Sequence, residues 1–161
     1  MLDLTTLSFR DARSEDLHAV VGLLHDDVLG REREVRSDPP APEYQAAFAA
    51  IDRDPNQRLR VAVVTPDLQQ EVVGCLQLSF IPGLSQRGRW RAQIEGVRVA
   101  SRLRGLGIGR QLIEDSIAIA RDAGCGVVQL TSSLARTDAR RFYEGLGFAA
   151  THAGFKLDLR S

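Results

Sequence analysis

The stretch VRVASRLRGLGIGRQL, residues 97–112, constrains the fold more than any other part of the chain. It runs from alternating β-branched residues through Gly105, Gly107 and Gly109 into Leu112, Ile113, Ile117 and Ala120 at helical spacing. A strand that passes into an amphipathic helix implies a layered α/β arrangement, because the helix must return to bury its apolar stripe on the sheet. Glycine carries no Cβ, so successive N–H groups in such a turn converge readily on an anion, and the helix N-terminus adds its dipole. A pyrophosphate is the natural guest of the turn, with Arg104 and Arg110 placed to add charge-assisted hydrogen bonds. The competing reading is an ordinary strand-to-helix turn with surface arginines.

Two familiar phosphate motifs do not fit. GxxxxGK[ST] needs a Lys-Ser/Thr pair that the turn lacks. The dinucleotide fingerprint GxGxxG would need glycine where Arg110 stands and an acid after the next strand, where the chain reads LTSS.

Around this turn the chain reads as a β-α-α-β-β-β-α-β-α-β-β succession. A strand at LSFRDA leads to Ser14 as N-cap of a helix carrying Leu17, Val20, Val21, Leu24 and Val28. Residues 29–42 read as an exposed loop, and a second helix carries Tyr44, Phe48 and Ile51 before stopping at Asp54-Pro55. LRVAVV and EVVGCLQLSFI, joined by TPDLQQ, form an antiparallel hairpin, and RAQIEGVRVA is the strand entering the glycine turn. The helix after the turn ends at Gly124, a good C′ residue. Strand GVVQLTS follows, then a helix with Ala139, Phe142, Tyr143 and Leu146 on one side, then a final strand pair, FAATH and GFKLDL. The expected architecture is a mixed α/β fold, a mostly antiparallel sheet with helices on both faces, in one domain over residues 1–161.

Charge narrows the partners. Lys+Arg and Asp+Glu balance at 21 each, so no net field recruits nucleic acid or an acidic membrane. The N-terminal residues lack a basic start followed by an apolar core, and no apolar run approaches the ~20 residues of a membrane span. A cytoplasmic location and a small-molecule partner are the expectations. Cys75 and Cys125 lie in apolar runs without metal spacing and read as buried structural thiols. His18, His25 and His152 show no ligand spacing, so no metal is expected.

The segment IEGVRVASRLRGLGIGRQLI, followed about thirty residues later by DARRFYEGLGF, resembles the GNAT superfamily of acetyl-CoA-dependent N-acetyltransferases. The family hallmark [QR]-x-x-G-x-[GA] is met by Arg104, Gly107 and Gly109, and the later A-x-x-F-Y-x-x-x-G-F pattern follows in register. The resemblance is sharp over residues 93–148 and rests on element order elsewhere. It implies that the main chain at Val97, Arg98 and Val99 pairs with the pantetheine arm of acetyl-CoA. It implies equally that Arg104, Gly105, Leu106, Gly107, Ile108, Gly109 and Arg110 take the pyrophosphate. The family often carries Asn where this chain has Arg136, which puts the usual contact to pantetheine in question; Arg136, Arg140 and Arg141 are candidates for cofactor phosphates instead, the competing reading being a solvated basic face.

Acetyl transfer to an amine needs a neutral nucleophile, and an ammonium with pKa ~10.4 is neutral in about one molecule in a few thousand at pH 7. By resemblance, Glu95 is the general base and Tyr143 the general acid at the departing sulfur; the competing readings are a salt-bridged Glu95 and a core Tyr143. A carboxylate at its reference pKa stands about six units below such an amine, roughly 8 kcal/mol uphill for direct transfer. Tuning of either group, or a water chain, must therefore help. Acceptor choice falls to the two N-terminal helices and their loop, where Asp26, Asp27, Glu32 and Glu34 are candidates to attract a cationic amine, and to the stretch before the Glu95 strand. The expected activity is direct transfer from acetyl-CoA to a primary amine of a small molecule. The alternative is a non-catalytic acyl-CoA-binding sensor or assembly module. A homodimer stays open, since many resembling proteins dimerise.

Overall fold

The computed structural model describes residues 6–27, 30–66, 69–133 and 136–159. Strands β1 (Ser8–Asp11), β2 (Gln57–Val64), β3 (Glu71–Ile81), β4 (Arg91–Val99) and β5 (Val127–Leu130) form one sheet in chain order. The β1–β2, β2–β3 and β3–β4 pairs are antiparallel, and β4–β5 is parallel. Helices α1 (Leu17–His25) and α2 (Pro42–Arg53) precede β2, and the single turn α3 (Ser85–Gly88) separates β3 from β4. Helix α4 (Ile108–Asp122) links β4 to β5, and α5 (Thr137–Glu144) follows. The mixed, mostly antiparallel sheet with flanking helices agrees with the sequence reading.

Helices cover both faces because the strands are apolar on both. Val61, Ala62, Val63 and Val64 of β2 are all fully buried. Alternation sends Ala62 and Val64 towards Leu112 and Ile113 of α4, and Val61 and Val63 towards Val20 and Leu23 of α1. Gly124, at φ +78°, closes α4 as expected. Cys75 is buried in the α1-side cluster, where burial pushes its thiol up to about 12, only partly offset by Arg98. Cys125 is half-buried rather than buried, with its thiol also raised by desolvation.

Some expectations are corrected. Ser14 is not an N-cap: it opens a short 3₁₀ turn, and the Asp16 carboxylate accepts the Arg13 N–H at 2.7 Å instead. FAATH and GFKLDL form no strands, because residues 149–159 enter no ladder, and Phe155, Leu157 and Leu159 stay 93%, 85% and 89% exposed. Alternation specifies which side of a strand is apolar but does not supply the edge with which it pairs. Val28 and the middle of the TPDLQQ connection, residues 67–68, lie outside the described residues.

Asp16 is the clearest electrostatic staple. It is 6% exposed, and Arg10 donates to its two oxygens at 2.6 and 3.0 Å. Burial raises the carboxyl pKa, but the bonds from Arg10 and the Arg13 N–H outweigh it and hold the group below its ordinary value. Asp16→Ala is expected to cost about 3 kcal/mol at pH 7, the penalty for a broken buried pair. Since the folded pKa lies below the unfolded one, this contribution is present above about pH 4 and vanishes as pH falls through the folded value. Urea melts from pH 7 to 3 should show the mutant deficit closing.

Candidate active site

The site is built where β4 and β5 part. Their ladder ends at Ile94↔Leu130, while β4 runs on to Val99 against β3 alone. The Ala100 N–H donates to the Val73 carbonyl at 2.9 Å, and the Arg98 carbonyl faces Gly74, lying 3.1 Å from where a Cβ there would sit. Because strand groups alternate sides, the N–H and C=O of Val97 and Val99 point away from β3 into the gap. Their carbonyls accept side-chain donors instead: Arg98 Nη1 reaches Val97 at 2.8 Å and Arg104 Nε reaches Val99 at 3.2 Å.

A bulge divides the strand's faces. Cys75 pairs with Arg98 and Gln77 with Glu95, so two steps on β3 face three on β4, with Gly96 at φ +63° in the bulge. Glu95 and Arg98 therefore share the α1 side of the sheet, whereas Val97 and Val99 pack into the α4 cluster. Glu95 is exposed, and among the described residues its carboxylate enters no ion pair or side-chain hydrogen bond.

The strand runs into the glycine turn at one end of the gap. Gly105 and Gly107 adopt φ +81° and +83°, a region that strains other residues. Gly107 is the N-cap of α4 and supplies no side-chain cap. The N–H groups of Ile108, Gly109 and Arg110 in the first turn have no acceptor four residues back, leaving converging donors at the positive end of a 15-residue helix. A Cβ on Gly109 would stand 3.5 Å from Val99 Cγ2 and 3.6 Å from Phe142 Cζ, ordinary van der Waals contact, which places this turn of α4 next to both β4 and α5.

The two arginines of the turn are committed elsewhere. Arg104 folds back to the Val99 and Asp26 carbonyls, and Arg110 donates to the Gly145 carbonyl at 3.0 Å and pairs with Glu114 at 3.3 Å. They brace the turn against α1 and α5, so that the turn's backbone N–H groups, rather than these guanidiniums, are what it offers to an anion.

Tyr143 closes the opposite wall. It packs edge-on against Phe142 and Phe148, at centroid distances of 5.2 and 6.0 Å, next to the α4-side core. Burial raises its phenol above the ordinary value of 10.0, with Arg136 and Arg98 partly offsetting this, so the hydroxyl is a proton donor at neutral pH. Glu95 and Tyr143 thus belong to opposite faces of the sheet, one on either side of the gap.

One residue missed as part of this core is Asp27. Its carboxylate pairs with Arg98 at 3.4 Å and takes a bond from Arg136 Nη2 across the mouth of the gap. Nothing in a pattern of nearest neighbours signals a contact between residues 109 apart. Asp26 is likewise engaged: the Ser101 N–H donates to it at 3.0 Å and holds its carboxyl below the ordinary range. Glu34 accepts the Tyr44 hydroxyl at 2.8 Å, while Glu32 is exposed. Most of the acids expected to attract an amine are therefore occupied. A concavity of about 780 Å³ lies beside α1, lined among others by His18, Asp26 and Ala100, with Arg10 and Arg102 in it paired to Asp16 and Glu71.

Comparison with known proteins agrees with this geometry. Residues 21–148 match the family model described as Acetyltransferase (GNAT) family. A glucosamine 6-phosphate N-acetyltransferase of Trypanosoma brucei brucei is 32% identical, covering 99% of this chain and all of the relative. An aminoalkylphosphonate N-acetyltransferase of Salmonella typhimurium is 31% identical over 91% of this chain and 87% of its own. Among solved structures, one described as a transcriptional regulator from Bacillus halodurans C-125 superposes with a TM-score of 0.90 at 46% identity, covering 95% of this chain and 99% of that one.

Proposed function

Since the chain belongs to the GNAT family of acetyltransferases, we propose that residues 1–161 form one domain that transfers acetyl directly from acetyl-CoA to the primary amine of a small molecule. The observation carrying this reading is the parted β4–β5 gap, whose main-chain edge at Val97 and Val99 pairs with no strand and leads into the uncapped N-terminus of α4. These parts fit the cosubstrate: the gap edge, at Val97 to Val99, holds the pantetheine arm as an added strand would be held, and residues 105–110 hold the pyrophosphate through backbone N–H groups. The Arg98 and Arg104 side chains give up the Val97 and Val99 carbonyls to it. Acetyl-CoA supplies the activated thioester.

The residues then divide the proton work. Glu95, open to solvent on the α1 face, draws the proton from the bound ammonium through water. The Val97 N–H, pointing into the gap, stabilises the oxyanion formed by attack. Tyr143 delivers its hydroxyl proton to the leaving sulfur from the other face. Cys75, buried with a thiol raised to about 12, offers no thiolate for an acyl-enzyme intermediate.

The acceptor is a small amine that also carries a phosphate or phosphonate. Both relatives named above act, by their names, on amines bearing phosphorus oxyanions. On this chain two guanidiniums, Arg98 and Arg136, share the one carboxylate of Asp27, leaving net positive charge beside the Glu95 face. The test is real-time thiol release from acetyl-CoA with glucosamine 6-phosphate, aminoalkylphosphonates, aminoglycosides, polyamines and lysine peptides. Turnover confined to the phosphorylated or phosphonate amines would support the assignment, and turnover confined to lysine peptides would refute it.

The second reading, an acyl-CoA-binding sensor, is favoured by the regulator description of the 46%-identical structure. It expects tight acetyl-CoA binding with no turnover on any amine. Either reading requires the turn. Gly107→Val, at a position of φ +83°, is expected to weaken acetyl-CoA binding about tenfold in calorimetry, the equivalent of about 1–2 kcal/mol of left-handed strain, with unchanged circular dichroism. Unchanged affinity would remove the turn from the cofactor site.

A further inference from the structure

We propose that Asp27 is a positioning residue for the transfer step: through Arg98 and Arg136 it sets the positive charge that stands beside the Tyr143 phenol when the thioester is cleaved. The inference rests on Tyr143 being the acid at the departing sulfur, as proposed above. Three contacts carry it. Asp27 follows the C-cap of α1, and its side chain is 14% exposed. Its Oδ2 pairs with Arg98 Nη2 at 3.4 Å and accepts a bond from Arg136 Nη2, while Arg98 Nη1 donates to the Val97 carbonyl at 2.8 Å. One carboxylate thus serves two guanidiniums, from the strand and the helix that bound the gap, and leaves a net single positive charge.

The meeting is possible where the sheet has parted. Beyond Ile94↔Leu130, β4 has no strand on the β5 side, so Arg98 on the α1 face comes within reach of the start of α5. Arg136 holds the N-cap position of α5, about two turns before Tyr143, and makes no side-chain bond to the helix end. Its guanidinium is therefore available to Asp27. Arg98 Nε is buried without a hydrogen-bond partner. Once the cosubstrate takes the Val97 carbonyl, Asp27 is the partner that remains to Arg98 among the described residues, and it keeps the charge in place.

Charged groups surround Tyr143 from each element packed on it. β4 supplies Arg98 and, on the other face, Glu95. α5 supplies Arg136, the exposed Asp138 and Arg141, and the pair Arg140 and Glu144 at 2.9 Å. α4 supplies Arg110, held by Glu114 and the Gly145 carbonyl. Of these, Arg98 and Arg136 act on the phenol, both pulling its pKa down against the lift from burial. In the transfer the bond from amine nitrogen to acetyl carbon forms and the carbon–sulfur bond breaks. Sulfur keeps the electron pair and takes the phenol proton, so negative charge passes to the phenolate oxygen until water returns a proton. The guanidiniums stabilise that charge. Unopposed, they would also favour it before transfer, ionising the donor too early; Asp27 offsets one of the two.

Tyr143 is one of two tyrosines, so in a Tyr44→Phe background its ionisation is read alone by tyrosinate absorbance, with circular dichroism following the fold through the titration. The charge count makes the outcome specific. Asp27→Asn leaves two positive charges and should bring the midpoint about one pH unit lower. Arg136→Gln leaves none and should bring it higher, and the double variant, back at one, should return to the parent midpoint. Asp27→Glu keeps the charge and should keep the midpoint. The alkaline limb of kcat should move with each of them. A midpoint unmoved by Asp27→Asn, midpoints shifted alike by every substitution as a merely structural loss would shift them, or a kcat limb that ignores the midpoints would each overturn the proposal. Should Asp27→Asn lose its fold, Arg136→Gln decides: a midpoint that does not rise overturns the proposal. The titration needs no turnover, so midpoints that follow the charge count in a chain that acetylates no amine would uphold the charge control by Asp27 and overturn the acetyl-transfer reading alone.

Discussion

Tyr143→Phe is expected to lower kcat by about 10²–10⁴-fold, the usual contribution of a positioned general acid, while acetyl-CoA affinity changes little. The substitution removes one oxygen and keeps the ring, so the edge-on contacts with Phe142 and Phe148 persist and the α5 packing is preserved. What is lost is a phenol whose pKa burial lifts above 10.0, against a partial pull from Arg136 and Arg98. A raised phenol stays protonated through the neutral range, so the parent should hold its rate there and lose it only above about pH 10, when the donor ionises. Pre-steady-state thiol release followed across that range checks both parts. Equal rates in the two proteins would make Tyr143 a core aromatic and nothing more.

Glu95→Gln is expected to reduce kcat/KM by about 10²-fold or more near neutral pH, again within the range for acid–base groups. The side chain is exposed, so glutamine should leave the melting temperature nearly unchanged. Its diagnostic is the shape of the pH profile. Without a base, only the amine that is already neutral reacts, so the residual rate should climb about tenfold per pH unit up to the pKa of the amine. The parent should climb less steeply. A mutant and parent with parallel profiles and similar rates would return Glu95 to the surface. The two substitutions attack from opposite faces of the gap, so in the double variant each should act on its own proton transfer, with the oxyanion donor at Val97 left to support what rate remains.

The strand, glycine turn and helix at residues 97–112 are legible because each is a local pattern: alternation, absence of a Cβ, and a 3.6-residue period. The fully apolar run of β2 and the Tyr143 pattern on α5 were legible for the same reason. The Gly96 bulge was readable only in outline. A glycine inside a strand is a signal for one, yet simple alternation would have put Glu95, Val97 and Val99 on one face, and the bulge separates the acid from the valines.

The sequence by itself determined the layered α/β class, the glycine-rich turn between β4 and α4, and the resemblance to the acetyltransferase family. Tertiary structure alone decided which long-range partner each side chain took. Arg104 and Arg110 brace helices instead of facing the turn, Asp27 gathers Arg98 and Arg136 across the gap, and Phe155, Leu157 and Leu159 form a strand pattern without a ladder. The physical reason is common to all three. Backbone conformation follows from neighbours a few residues away, whereas an ion pair or a strand edge depends on which distant surfaces the packed core brings within about 3 Å, and many sequences with the same local pattern bring different ones.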